Sequence, residues 1–315
     1  MKLTKKTGRN MKGSLFYRIK KDYKQNKVLL FMAIPVALYY IIFHYMPMYG
    51  TIIAFMDYRV ANGIFASKWV GFENFREFFD SFYAWRVIRN TLLISIYSLI
   101  FSFPAPIILA MLLNEVRNKY FKSTVQTITY LPHFISIIVI CGMITDFTMK
   151  DGIVNDIVAM LGGERKNFLL DPNYFRGIYV ASGVWQGIGW GSILYLAALS
   201  GIDLSLYEAA KIDGAGRFRQ FLSVTLPGIL PTIVVMFILN VGKLMSVGSE
   251  KIILLYNEGT YETADVISSF VYRRGVLQAD YSYSTAVGLF NSAINAILVV
   301  SANKLSRALT ESSLW

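Results

Sequence analysis

The sequence predicts an all-α membrane protein of six transmembrane helices, and three observations carry that expectation: a surplus of apolar residues, the length of the apolar runs, and the placement of charge. Of 315 residues, 55% are apolar and 16% charged, where an ordinary soluble domain has about 25% charged residues. The mean hydropathy is +0.46, and several runs approach the roughly 20 residues a helix needs to cross a bilayer. Ten of the 31 lysines and arginines fall within residues 1–27, directly before an apolar run. Cys141, His44 and His133 are the only cysteine and histidines, too few for a disulfide or for a zinc site built of those residues alone. A disulfide scaffold, a zinc enzyme and any other metal centre are not expected.

The first apolar run, Val28–Met46, exceeds the 7–15 residues usual for a signal peptide. It reads as a span with a basic anchor, residues 1–27, attracted to anionic membrane lipid; concentrated there, the net charge of +11 points to no nucleic acid. Further runs follow at Thr91–Leu113, Thr124–Met143, Gly177–Leu199, Pro227–Met245 and Ala286–Ala302. Each must be helical, since lipid supplies no partner for open backbone. Six of the eight prolines lie in or at the start of these runs (Pro35, Pro104, Pro106, Pro132, Pro227, Pro231), so kinks are expected there. With the N-terminus inside, the inner segments hold 18 basic and 6 acidic residues and the outer ones 12 and 14, with Lys243 left within the fifth span. The basic excess on one side predicts N-in, C-in.

No repeat or linker divides the chain after the tail, so residues 28–315 read as one bundle. In the first long loop, Phe72, Phe75, Phe78/Phe79 and Phe82 recur at helical spacing, predicting a short helix with an aromatic stripe on the membrane surface. The loop of residues 203–227 is the richest in signals. Asp203 or Ser205 can cap a helix through Ile212, and Gly214 and Gly216 permit a reversal before a second helix around Phe218–Thr225. Leu206, Ala209, Ala210 and Phe218 exceed what a solvated loop needs, which predicts a face packed on another protein.

The order Glu208-Ala209-Ala210, three residues, Gly214, nine residues, Val224, one residue, Leu226-Pro227 resembles the EAA loop in permease subunits of bacterial ATP-binding-cassette importers; Val224 stands where that pattern usually has Ile. Tyr207 through Gly216 is similar to the carbohydrate-uptake, maltose-transporter-like branch. Gly152-Ile-Val-Asn155, Trp185 through Trp190, Glu250 through Asn257, Tyr281 through Asn291 and Ser313-Leu-Trp315 resemble the LplB-like polysaccharide and oligosaccharide permeases. The resemblance implies a type I importer permease fold with its core at about residues 86–303 and a coupling loop at 201–226. It implies a second homologous permease subunit, two copies of an ATPase that bind ATP and Mg, and an extracytoplasmic solute-binding protein, in the bacterial cytoplasmic membrane. Within the loop it assigns ATPase coupling to Tyr207, Glu208, Ala209, Ala210, Asp213 and Gly214. The chain has no phosphate-binding loop of its own: Gly242-Lys243 is followed by Leu244. A transport subunit without enzymatic activity is therefore expected, with an oligosaccharide as cargo.

Sugar sites combine aromatic, amide and hydroxyl groups in a largely apolar cavity, which selects Trp185, Gln186, Tyr195, Asn240, Lys243, Asn291 and Asn295 as path candidates. Glycines 183, 187, 189 and 191 read first as helix-packing positions. Lys243, sixteen residues beyond Pro227 or about 24 Å of helix, either snorkels to the surface or meets a carboxylate-bearing, uronate-type sugar. The competing reading, a stand-alone carrier or channel for a small polar solute, makes the loop pattern a coincidence. A membrane enzyme would need a nucleophile-base cluster, and none is evident; His133 beside Pro132 reads as structural or interfacial.

Overall fold

The computed structural model describes residues 26–310, which are mostly helical with one two-stranded ribbon. They fall into two units divided after Ile52. The basic tail, apart from Lys27, and the closing Ser313-Leu-Trp315 lie outside the described residues.

In the first unit, α1 (Lys27–Tyr40) contains Pro35 and runs on through a π turn at Ile41–Tyr45. None of the residues from Lys27 to Met48 is buried. A helix apolar all round is one that lies in lipid or against other protein.

The second unit opens with β1 (Met56–Asp57) paired antiparallel to β2 (Lys68–Trp69), Met56 opposite Trp69. The Asn74 amide donates to the carbonyls of Ala54 and Met56, fastening this ribbon to α2 (Glu73–Asp80). Here the expected aromatic stripe is corrected. Phe78 is 1% exposed and packs on Phe270, Tyr283 and Phe290, while Phe72 and Phe75 rest on Phe55. Ser81 is extended, so Phe82 starts a new helix and is exposed. The break at Ser81 and the burial of Phe78 divide what the spacing read as one surface stripe.

Helices α3 (Phe82–Phe101) and α4 (Pro104–Glu115) form one helical stretch that begins nine residues before the apolar window. Hydropathy misses that first stretch because Arg86, Arg89 and Asn90 are polar; the fold pairs them with Asp265 and the carbonyls of Glu262 and Asp265. The third expected span is also corrected: it straddles a break. α5 (Lys119–Tyr130) ends in a turn containing Pro132, and α6 (Ile137–Thr148) restarts after Ser136, whose hydroxyl accepts from the Val139 N–H. The segments meet at 103°, and α7 (Ile153–Met160) follows.

The 29-residue α8 (Pro172–Ser200) is capped by Asp171, which accepts from the Asn173 N–H. Its glycines pack as the spacing suggested at two positions. A Cβ on Gly189 would collide with the Thr129 carbonyl, and one on Gly191 would press on Pro106. Replacing Gly189 by alanine is expected to cost about 1–3 kcal/mol of stability, read as a lower melting temperature in detergent. An unchanged melt would show that α5 yields without cost.

After α9 (Leu204–Ile212), a turn of helix (Arg217–Gln220) and a π turn (Phe221–Thr225) run directly into α10 (Leu226–Val241). The expected separate second loop helix is thus the base of the next span. α10 ends at Val241, so Lys243 sits in the following turn rather than inside a helix. Short helices α11 (Ser249–Leu255) and α12 (Ile267–Tyr272) lead to the long α13 (Tyr281–Thr310). Four stretches are long and apolar enough to cross a membrane, and two bent pairs, Lys119–Phe134 with Ile137–Met160 and Pro172–Ser200 with Leu204–Ile212, raise the number to as many as six among the described residues.

At the end of the second unit where α3 and α8 begin, Asp265 is fully buried and takes Arg273 at 2.7 Å, Arg86 at 3.1 Å and the Ser269 hydroxyl at 2.9 Å. Nearby, Arg176 donates to the Asn90 side chain and the Thr263 carbonyl.

Candidate functional site

Two features of the second unit are candidates for a site: the exposed loop helix α9 and a polar cavity between helices.

The loop is built by capping at both ends. The Asp203 carboxylate accepts the Ser205 N–H at 2.9 Å, a bond that also holds this carboxyl below its usual pKa. At the other end Gly214 has φ +75°. Its N–H bonds the Lys211 carbonyl and the Ala215 N–H bonds the Ala210 carbonyl, a Schellman closure that needs a left-handed residue at this point. Gly216, by contrast, has ordinary φ and starts the next turn. Between the caps Glu208 and Ala209 face solvent and Ala210 is half-buried. Exposed Leu204, Leu206, Ile212 and Phe218 surround them, more apolar surface than a free loop carries. Asp213 ends the helix, exposed. Tyr207 turns inward, its hydroxyl 3.0 Å from the Thr225 hydroxyl at the foot of α10. This bond ties the loop helix to a span at a π turn, a local geometry common at functional sites.

The cavity encloses about 250 Å³. α3 lends Ser95, Ser98 and Ser102, α8 lends Tyr179, and the chain around the end of α10 lends Asn240 and Lys243. No carboxylate lines it, and Lys243 makes no ion pair among the described residues. Beside it, Lys251 on α11 is 8% exposed; its ammonium donates to the Tyr179 carbonyl at 3.0 Å and lies 4.7 Å from the Tyr179 ring centre. Burial pulls this lysine down to about 8. A serine face, an amide and two ammonium groups inside an apolar bundle suit a wetted space that accepts polar cargo.

Of the path candidates, Asn240 and Lys243 meet in this cavity. The others lie elsewhere. Tyr195 packs with Ile107, Ala110, Leu199 and Ile229. Asn295 accepts the Met245 N–H and donates to the Ser246 hydroxyl, bracing the turn that carries Lys243. Asn291 buries its side-chain oxygen one turn earlier on α13. Trp185 is exposed and Gln186 half-buried on α8, and His133 stacks on Trp190 at 4.4 Å. The serine face was missed from sequence although its spacing, i, i+3 and i+7, was readable; Lys251 was not singled out, because its run, Glu250 through Asn257, was read only for its family resemblance.

Residues 102–311 match the family profile of the binding-protein-dependent transport system inner membrane component. The chain is 44% identical over 293 residues to Protein LplB of Bacillus subtilis (strain 168), covering 93% of this chain and 92% of that one. It is 42% identical over 292 residues to the polygalacturonan/rhamnogalacturonan transport system permease protein YteP of the same strain, covering 92% and 91%. Among solved structures, one chain of a bacterial ABC transporter involved in the import of the acidic polysaccharide alginate superposes with a TM-score of 0.86 at 43% identity, over 93% of this chain and 99% of that one. A chain of the MetNI methionine ABC transporter, at 18% identity and TM-score 0.54, shares the fold. With a profile that takes in two-thirds of its length and relatives matched from end to end, this chain belongs to the binding-protein-dependent transport system inner membrane components, as a membrane-embedded permease subunit of the type I ABC importer fold.

Proposed function

We propose that this chain is one of two different permease subunits in an ATP-driven importer of oligosaccharides, uronate-bearing ones included. It crosses the membrane six times with both termini inside; residues 1–27 are a lipid-facing anchor and 28–315 the transport domain, with the importer core at about 86–303 and the coupling loop at 201–226. The chain does no catalysis. Two copies of a separate ATPase hold ATP and magnesium, a loaded binding protein docks outside, and cargo moves by alternating access. The observation that carries this reading is α9: a helix closed at both ends, presenting Glu208 and Ala209 among exposed apolar side chains, and joined through Tyr207 and Thr225 to a span. Asp213 and Gly214 fix where that helix stops. The alginate transporter structure in complex with an alginate pentasaccharide-bound periplasmic protein and the polygalacturonan/rhamnogalacturonan transport named for YteP support a saccharide cargo.

Asn240 and Lys243 line the path in this proposal, with Trp185 and Gln186 on the neighbouring helix as further contacts. Tyr195, Asn291 and Asn295 shape it from behind. Lys243 gives a charge-assisted contact to a uronate carboxylate, worth about 1.5–3 kcal/mol. In proteoliposomes holding the whole complex, Lys243→Ala is expected to weaken ATP-driven uptake of an oligouronate about tenfold and to leave a neutral oligosaccharide of equal length unaffected. Equal uptake of the oligouronate by both proteins removes Lys243 from the path. Uptake by this chain alone, without ATP or a binding protein, would identify a carrier or channel instead.

A further inference from the structure

A second cavity lies along the start of α8. It measures about 620 Å³ and opens between α8 and α3. Asn173 and Arg176 line one end; below them it is walled by Gly177, Ala181 and Val184 of α8 and by Tyr97 of α3. Apart from the Tyr97 phenol, the polar groups lie at one end and the rest of the lining is apolar.

Three features bear on what fills it. The first is charge. Arg176 is held rigidly: its Nε donates to the Thr263 carbonyl at 3.3 Å and one terminal nitrogen donates to the Asn90 side chain at 2.8 Å. Among the described residues these two bonds engage Nε and one terminal nitrogen and leave the other terminal nitrogen open to the cavity side. Around it stand Arg86, Arg89 and Arg273 against Asp265, Glu262 and Asp171, whose carboxylate takes the Asn173 side-chain amide at 2.9 Å, so with Arg176 this end keeps a surplus of one positive charge. The second feature is length. From Asn173 to Val184 is eleven residues, or about 16 Å of helix, close to the ~15 Å of one leaflet's hydrocarbon. The third is space: a Cβ placed on Gly177 meets nothing within 4 Å, so the groove stays open beside the arginine.

We propose that this groove holds an anionic phospholipid of the outer leaflet, its phosphate on Arg176 and Asn173 and one acyl chain laid along Gly177, Ala181 and Val184. The outer assignment rests on the topology proposed above; the lipid site itself does not, since a reversed chain would place the same groove in the inner leaflet. The chemistry is ordinary for a membrane boundary, a charge-assisted hydrogen bond from a guanidinium to phosphate and an apolar channel matched to an acyl chain.

Gly177→Phe puts a ring into the groove from a position where an added Cβ meets nothing within 4 Å, and Arg176→Gln removes the charge. The assembled complex is exchanged into detergent micelles carrying equal amounts of phosphatidylglycerol and phosphatidylcholine, and retained lipid is read by native mass spectrometry. Wild type is expected to retain about one phosphatidylglycerol per permease, at least tenfold above phosphatidylcholine. Arg176→Gln should lose that preference, and Gly177→Phe should lose retention of both lipids while ATPase activity and subunit composition persist. Equal retention in wild type and Gly177→Phe overturns the site. A single-cysteine probe separates the other occupant: Cys141 is buried, so Ala181→Cys supplies the accessible thiol. Efficient cross-linking of that thiol to a helix of the second permease would likewise overturn the lipid assignment. Orientation is read independently, from a reporter fused at residue 115.

Discussion

Glu208→Arg is expected to abolish transport while leaving the protein inserted and folded. The residue is exposed on α9, so the substitution disturbs no packing within the chain. What it changes is the face offered outward, a carboxylate among exposed Leu204, Leu206 and Ile212. At an interface core, reversing one charge both removes a contact and buries an unpaired ion, commonly a loss of 2–5 kcal/mol, or more than tenfold in association. The check is co-purification of the ATPase with the tagged variant, alongside ATP-driven uptake. Gly214→Pro should reach the same result by another route, because proline cannot adopt φ +75° and lacks the N–H that bonds Lys211. The helix would then lose its stop and the loop its direction. A Tyr207→Phe variant grades the effect: the ATPase should stay bound, but transport per ATP hydrolysed should fall, since the bond to Thr225 is lost and the docking face is not. Full coupling in all three variants would leave α9 as a plain connecting turn.

The second large effect concerns stability. Asp265→Leu should destabilise the protein by about 3–5 kcal/mol, because Arg86 and Arg273 would face each other across a site where the only neutralising carboxylate is fully buried. Ser269 and the extended Val266 beside it depend on the same group. The measurement is the thermal unfolding midpoint in detergent, at fixed lipid content. A triple change, Asp265→Leu with Arg86→Met and Arg273→Met, should recover most of the loss if unpaired charge is the cause. If the triple variant is no better than the single one, the carboxylate acts through its hydrogen bond from the Ser269 hydroxyl and not through its charge.

Where sequence reading succeeded and where it failed follows from what each signal measures. The loop helix was legible because capping and the left-handed stop are local chemistry: Asp203 precedes Leu204 and Gly214 follows Asp213 in the chain itself. The membrane class was legible because hydropathy sums over a window. The same summation hid the break at Ser136, since the residues on both sides are apolar and a 103° bend alters no average. It also hid the start of α3, whose polar residues find partners about 175 positions away in the chain. Phe78 was read as part of a surface stripe for a related reason: period alone does not say which face a helix buries, and the answer came from Phe270 and Tyr283. In the cavity, Asn240 and Lys243 were named because an amide and a charge in a span are costly; three serines are cheap in a helix and drew no notice until the fold set them along one wall.

The central claim is that this permease works only as part of an ATP-driven complex. It is tested most directly by extracting the N-terminally tagged chain from its native membrane in mild detergent and identifying everything that co-purifies by mass spectrometry. The account predicts an ATPase in two copies, a second and different permease, and a solute-binding protein. Recovery of the chain by itself, as a stable self-associated assembly that transports without ATP, would contradict it.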